Sequence, residues 1–484
     1  MPLRNPVVRA VPAIAGLIPP AGVMRLLVVV GGGLLVLQSS QGLAPQKLVY
    51  LALATGTFAF SCHAVWRLRE RQMFVVGLPW LIASLLLAGL IALSLPVSLA
   101  HGTPFAQWLR DAATYGLFAA APVMALDAAA SMRRGLILAL TISITALGAL
   151  SFALYWISVR NLAILPFEHF VIPTASLPTA LFVVSLAAAV IDRPRRWAWI
   201  VLGGVTLGVF WITGSRSALF FLVALPAVTV VAGRLVLVRS MVASAGIVLV
   251  AVVFVALVQA AFVSAGREIA PPIDVGSPPG SGSASPGATP PAPAPTPRPP
   301  VNPKATLIER LNAFLTSPQQ DGSVRERVAQ YEVAWELFVS SPVVGVGLGH
   351  PFVWTRVDGT TTWRDFTADT PLILPAKLGV IGIAWLTVVA FVWVRFIRRL
   401  RKAAGITIPG LAMTGWAAIL VVLVWTGFSL EDKGFSFALM FLLALALIEI
   451  ERAGPSDETP GSSFTLPSVA EPTAPLITQR PIDR

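Results

Sequence analysis

Residues 211–222 read WITGSRSALFFL, and apolar sequence continues on both sides of the central GSRS. An arginine at the centre of a membrane helix costs about 2.5–3.5 kcal/mol on insertion scales. Arg216 therefore belongs at the end of a span. We predict that segments 196–213 and 217–233 form a tight membrane hairpin with GSRS as its turn.

The composition of the whole chain is that of a membrane protein. Of the 484 residues, 56% are hydrophobic and only 12% are charged, whereas soluble proteins are about 25% charged. A net charge of +12 would suggest a nucleic-acid partner in a soluble protein. Here the basic residues lie mainly in short loops, so we expect none. The single cysteine, Cys62, excludes a disulfide framework and a thiol metal cluster.

Apolar segments of about 20 residues can cross a bilayer, and they predict an all-α polytopic fold of about twelve spans. The predicted spans are 22–39, 46–66, 73–99, 107–128, 135–157, 174–191, 196–213, 217–233, 241–263, 371–394, 411–428 and 434–451. Nine of them fall within residues 1–263 and three within 371–451. Residues 452–484 are predicted to be a disordered cytoplasmic tail.

Every second loop is basic, which orients the chain by the positive-inside rule. The residues that carry this pattern are Arg4, Arg9, Arg25, Arg67, Arg69, Arg71, Arg133, Arg134, Arg193, Arg195, Arg196, Arg234, Arg239, Arg395, Arg398, Arg399, Arg401 and Lys402. Both termini are then cytoplasmic. The GSRS turn and the long loop 264–370 face outward.

The external loop divides by composition. Residues 271–303 are proline-rich and nearly uncharged, which is typical of a disordered linker. Residues 323–340 are predicted to form an amphipathic helix, with a stripe of Tyr331, Ala334, Trp335 and Phe338 at helical spacing. A helix beside the membrane accounts for this stripe. It does not account for the flexible, closely approachable glycine-rich turn expected at 345–349.

Together these segments resemble the O-antigen ligase and polymerase superfamily over roughly residues 200–450. The resemblance rests on GSRSALFFL at 214–222, on Arg327 through Gly349, and on ADTPLILPAKLGVIG at 368–382. In the last segment, Leu372, Leu378, Gly379 and Gly382 fall where the family pattern expects them. Ala368 stands in place of the usual histidine, Asp369 in place of the asparagine and Lys377 in place of the acidic residue.

The resemblance implies a metal-independent glycosyltransferase of the bacterial plasma membrane that uses no cofactor. Its partners would be a polyprenyl-diphosphate-linked glycan, a lipid or glycan acceptor and the lipid bilayer. Arginine binds phosphate as a bidentate fork, so Arg216 and Arg327 are predicted to clamp the diphosphate, with Arg325 as a weaker candidate. Ser215 and Ser217 are small enough to let a ligand approach.

Three alternatives follow from the missing histidine. Asp369 acts as the catalytic base, His350 takes that role, or the protein is not a ligase. Polymerase, transporter and non-catalytic assembly partner remain open as functions.

Polar residues at three further places bear on the expected cavity. Arg110 and Asp111 open the fourth span and point in different directions. Two roles are open for them, pairing with other groups and lining the cavity. The turn at 431–433 is predicted to be a solvated loop, with contact to the acceptor as the lesser alternative. Asp127 lies near the cytoplasmic end of its span, so we do not expect it to contribute to an outward-facing site.

Overall fold

The computed structural model describes residues 20–36, 45–131, 133–159, 174–212, 222–233, 237–264, 322–355, 361, 370–423 and 432–454. The helices are α1 (Ala21–Val36), α2 (Pro45–Trp66), α3 (Gln72–Ala100), α4 (Phe105–Ala130), α5 (Arg134–Val159), α6 (Ser176–Ile191), α7 (Arg196–Ile212), α8 (Ala224–Ala232), α9 (Leu237–Ser264), α10 (Gly322–Ser340), α11 (Ile373–Ala404), α12 (Ile408–Leu423) and α13 (Lys433–Ala453). Within these ranges the only β pairing is a bridge between Thr355 and Thr361.

The protein is a helical membrane protein. Among the described helices, seven are long and apolar enough to cross a bilayer, namely α2, α3, α4, α5, α9, α11 and α13. Four shorter apolar helices are α1, α6, α7 and α12. Each predicted span overlaps one helix, although α8 covers only part of 217–233. The number of twelve crossings stays a prediction.

The centre of the bundle is formed by α4, α6 and α13. In α4, 83% of the span is buried and in α13 89%, whereas only 17% of α9 is buried. Every residue of α6 from Ser176 to Val190 is buried. A helix that is apolar on all sides and enclosed by others belongs in the core. The peripheral helices, including α9, expose their apolar side chains as lipid-facing surfaces do.

One end of the bundle collects the basic residues, and we call it the basic end. There Arg25 of α1 forms a bidentate pair with Asp127 of α4, with Nε–Oδ2 and Nη2–Oδ1 distances of 2.6 Å each. Ser61 of α2 donates to the same carboxylate at 2.7 Å. Arg134 of α5 pairs with Glu449 of α13. Asp127 therefore has a structural partner, far along α4 from residues 110–111.

The opposite end of the bundle carries α10 and the segment that follows it. Helix α10 packs against α11, the only described helix interrupted by a left-handed residue, Gly379 at φ +63°. The predicted stripe on α10 divides in the structure. Ala334 is fully buried, whereas Trp335 is 53% exposed. The stripe is thus not a single buried face.

Candidate functional site

The structure describes four of the eight predicted site residues. These are His350, Arg327, Arg325 and Arg110. Asp369, Arg216, Ser215 and Ser217 lie outside the described residues, as does Ala368. The geometry of the site is therefore built from the glycine-rich turn, α10, and the first turns of α4 and α11.

The glycine-rich turn, residues 342–349, is buried and closely surrounded from Gly345 to Gly349. Gly347 has φ +89° and Gly349 φ +75°, a backbone region that favours glycine. A Cβ at Gly347 would overlap Ser98 of α3, and one at Gly349 would overlap the backbone of Gln107 in α4. Ser98 also donates to the carbonyl of Leu348 at 2.8 Å. The close approach is as predicted. The expected flexibility is wrong, because packing and hydrogen bonds fix the turn.

The break in α11 explains how the turn is held. In an intact helix, the Val380 N–H would bond to the Ala376 carbonyl. Instead the Val380 N–H bonds to the Pro342 carbonyl at 2.8 Å, and the Ala376 carbonyl accepts from the Val346 N–H at 2.9 Å. In the same way the Ile381 N–H donates to the Val343 carbonyl at 3.5 Å, and the Lys377 carbonyl accepts from the Gly347 N–H at 3.0 Å. The left-handed Gly379 thus frees four backbone groups of α11, and the turn satisfies all four.

A buried ion pair fastens the same turn to two helices. Lys377 Nζ of α11 lies 2.8 Å from Asp111 Oδ2 of α4, and the two side chains are 0% and 4% exposed. The N–H of Gly349 donates to the same carboxylate oxygen at 2.7 Å. Nζ also lies over the rings of Tyr115 (5.7 Å) and Phe352 (5.9 Å). One carboxylate therefore joins α4, α11 and the turn.

His350 leaves the turn at its exposed edge. Its Nδ1 lies 3.5 Å from the hydroxyl of buried Thr103. Its ring meets that of His101 edge to face, at 6.1 Å between centroids. Burial lowers the pKa of His350 below its usual value, and the neighbouring His101 lowers it further. His350 is thus neutral near pH 7 and able to accept a proton.

Arg327 lies on α10 beside the segment that enters α11. It is half-buried and interacts with Tyr331, whose hydroxyl hydrogen-bonds the Thr370 side chain. Burial raises the pKa of Tyr331, and both Arg327 and Thr370 oppose that rise. Arg327 is therefore close to the residue that follows Asp369 in sequence. Arg325 is exposed.

Arg110 and Asp111 point in different directions, as their adjacency on a helix requires. Asp111 is buried in the ion pair with Lys377, whereas Arg110 is exposed. Arg110 lies close enough to Lys47, at the start of α2, for the two positive charges to repel each other. The structure thus assigns Asp111 to the core of this end and Arg110 to its surface.

The prediction of a solvated turn at 431–433 is wrong for Asp432, whose carboxylate is hydrogen-bonded within the protein. Its carboxylate caps α13 by accepting from the Gly434 N–H at 2.9 Å. It also accepts from the Thr174 hydroxyl at 2.5 Å and from the Ser176 N–H and hydroxyl at 2.9 and 2.6 Å. Asp432 therefore joins α6 to α13. Its oxygens are occupied by these structural bonds.

Neither protein-family models nor curated proteins provide a match to the chain. The family resemblance consequently rests on the residues quoted above. The described part of the chain contains no group of three or more metal-binding side chains.

Proposed function

We propose that this protein transfers a glycan from a polyprenyl-diphosphate carrier to an acceptor hydroxyl at the outer face of the bacterial plasma membrane. The observation that carries the proposal is the placement of Arg327. It lies on a helix at the end away from the basic end, beside Tyr331 and the Thr370 that enters α11. The two loop segments of the family resemblance thus meet at one place.

The chemistry of such a transfer needs two functions from the protein. Cationic donors must stabilise the diphosphate as it leaves, and a base must take the proton of the acceptor hydroxyl. Arg327, together with Arg216, serves the first need. Asp369 or His350 serves the second, and the lowered pKa of His350 suits a base at neutral pH.

The proposal is tested by reconstituting the purified protein in liposomes with a polyprenyl-diphosphate glycan and candidate acceptors, in the presence of chelator. We expect a glycan-bearing product and free polyprenyl diphosphate. Attachment of intact glycan to a lipid acceptor identifies a ligase, and lengthening of the carrier-bound glycan identifies a polymerase. If polyprenyl diphosphate is not released with any of the acceptors, the proposal is contradicted.

A transporter for an anionic solute is the second candidate. It is favoured by the broken helix α11 and by the buried ion pair between Lys377 and Asp111, since discontinuous helices and intramembrane charges are typical of transport sites. Transporters built from repeats carry such breaks at matching places in two halves. Among the described helices only α11 has one. Solute uptake by the same liposomes without glycan transfer would favour this function.

If His350 is the base, transfer should depend on pH in a defined direction. A histidine with a lowered pKa stays neutral until the pH falls below its usual value of about 6.5, so activity should hold at pH 6.5 and be lost at lower pH. His101→Gln removes the neighbouring imidazole. It should therefore move this acidic limb to higher pH. The measurement is the pH–rate profile of transfer in liposomes.

The matched variant for this prediction is His350→Gln, which should abolish most of the transfer and remove the limb. An unchanged profile in His350→Gln would eliminate His350 as the base. Asp369 would then take that role.

A further inference from the structure

We infer that α10 lies in the membrane interface and that a stripe on α10 and the start of the turn, which we call the lipid stripe, contacts the acyl-chain boundary of the bilayer. The stripe consists of Val328, Trp335, Val339 and Val343. Val328 is 49% exposed, Trp335 53%, Val339 56% and Val343 62%. This inference does not depend on the proposed glycan transfer.

The sequence of α10 produces three faces. Val328, Trp335 and Val339 are separated by seven and four residues, so they lie along one line of the helix. Arg325, Glu332, Glu336 and Ser340 are exposed and follow a second line with the same kind of spacing. Gln330 and Ala334 are buried on a third side. A helix at an interface needs one face each for lipid, water and protein.

The lipid stripe is continuous with a surface that faces lipid. The Val380 N–H bonds to the Pro342 carbonyl, which brings Val343 next to Val380. From Val380, the exposed apolar residues of α11 continue along the helix toward the basic end. They are Val380, Ile383, Val388, Phe391 and Val394. Because α11 is long and apolar enough to span a membrane, this surface is expected to face acyl chains.

The exposed apolar surface of α11 is too short to cross the hydrocarbon core by itself, and we expect α10 to supply the rest. Residues 373–379 are all buried, so the exposed part of α11 begins at Val380, and the first exposed arginine toward the basic end is Arg395. The fifteen residues from Val380 to Val394 rise about 22 Å along the helix axis, at about 1.5 Å each. The hydrocarbon core is about 30 Å thick. The remaining thickness of the hydrocarbon core therefore lies on the side of Val380 away from the basic end. There Val343, Val339 and Trp335 continue the apolar surface.

A tryptophan at the end of this surface is consistent with the inference. Tryptophan is enriched at membrane–water interfaces because its ring is amphipathic. Trp335 also contacts Phe338 at 5.5 Å between ring centroids, which links the lipid stripe to the half-buried side of α10. An interfacial position for α10 would hold Arg327 at the level of lipid headgroups.

The inference is tested with nitroxide labels in liposomes of phosphatidylcholine and phosphatidylglycerol. In a Cys62→Ser background, which removes the exposed native cysteine, single cysteines are introduced as Val339→Cys and Glu336→Cys. Phe391→Cys on the exposed face of α11 is the lipid reference. Collision of each label with oxygen, which concentrates in lipid, is compared with collision with a water-soluble nickel chelate.

We expect the oxygen-to-nickel collision ratio at position 339 to exceed that at 336 several-fold and to approach the ratio at 391. A ratio at 339 equal to that at 336 would place α10 in water and overturn the inference. Low collision with both reagents at 339 would overturn it too, because it would mean that protein covers the stripe. Val343→Cys provides a second label on the stripe if Val339→Cys folds poorly.

Discussion

Asp111→Ala should lower the free energy of unfolding by about 3–5 kcal/mol, the cost of removing one partner of a buried ion pair. The variant leaves the ammonium of Lys377 fully buried without its carboxylate. It also removes the acceptor of the Gly349 N–H. The measurement is the unfolding equilibrium of the reconstituted protein.

Two further variants separate the contributions to this loss. Asp111→Asn keeps a side-chain oxygen for the Gly349 N–H and removes only the charge, so its loss should be smaller than that of Asp111→Ala. The double variant Asp111→Leu with Lys377→Met removes both charges. It should therefore recover much of the loss, since well-packed apolar replacements of buried pairs are often neutral.

The matched control is the ion pair between Arg134 and Glu449 at the basic end. The Arg134 side chain is 40% exposed, and pairs exposed to solvent contribute about 0–1 kcal/mol. Arg134→Ala should therefore cost much less than Asp111→Ala. Equal losses in the two variants would contradict the larger stabilising contribution of the buried pair.

The sequence predicted the helical architecture because hydropathy reports directly on burial in lipid or protein. It did not predict the pair of Asp111 and Lys377, although each is a charge inside a predicted span. A search for intramembrane charges of opposite sign would have suggested that they pair. What a single sequence lacks is the order of the helices in space, which decides whether two such charges meet.

The break in α11 could not be predicted from the sequence, for a related reason. Gly379 matched a family pattern, but a glycine in an apolar run does not reveal that its φ is positive. The break is stable because the backbone of Pro342, Val343, Val346 and Gly347 satisfies the groups that it frees. Those partners lie more than 30 residues earlier in the chain, so local propensity contains no information about them.

The faces of α10 and the cap at Asp432 show two different limits of the sequence analysis. Periodicity found α10 and its stripe, but it could not decide which residues of the stripe face protein, because an apolar side chain suits a protein core and a lipid surface equally well. Asp432 directly precedes an apolar helix, which is a sequence signal for an N-cap. That signal was available, and the solvated-turn interpretation did not use it.

Arg327→Ala should reduce the rate of glycan transfer about ten- to hundred-fold while the protein still folds in the membrane. A charge-assisted contact to a departing diphosphate contributes about 1.5–3 kcal/mol, and 1.36 kcal/mol corresponds to a tenfold change in rate. Arg327→Lys should recover only part of this rate, since an ammonium cannot reproduce the bidentate fork of a guanidinium. Arg216→Ala and Arg216→Lys should behave in the same way.

The measurement is the initial rate of transfer in liposomes with chelator present, alongside the unfolding equilibrium of each variant. Glu336→Ala, an exposed change on the same helix, should leave the rate close to wild type. An arginine that only reaches for the headgroup region would tolerate lysine at nearly full activity. Full transfer by both Arg327→Ala and Arg216→Lys would contradict the arginine clamp, because neither guanidinium would then be needed for the transfer.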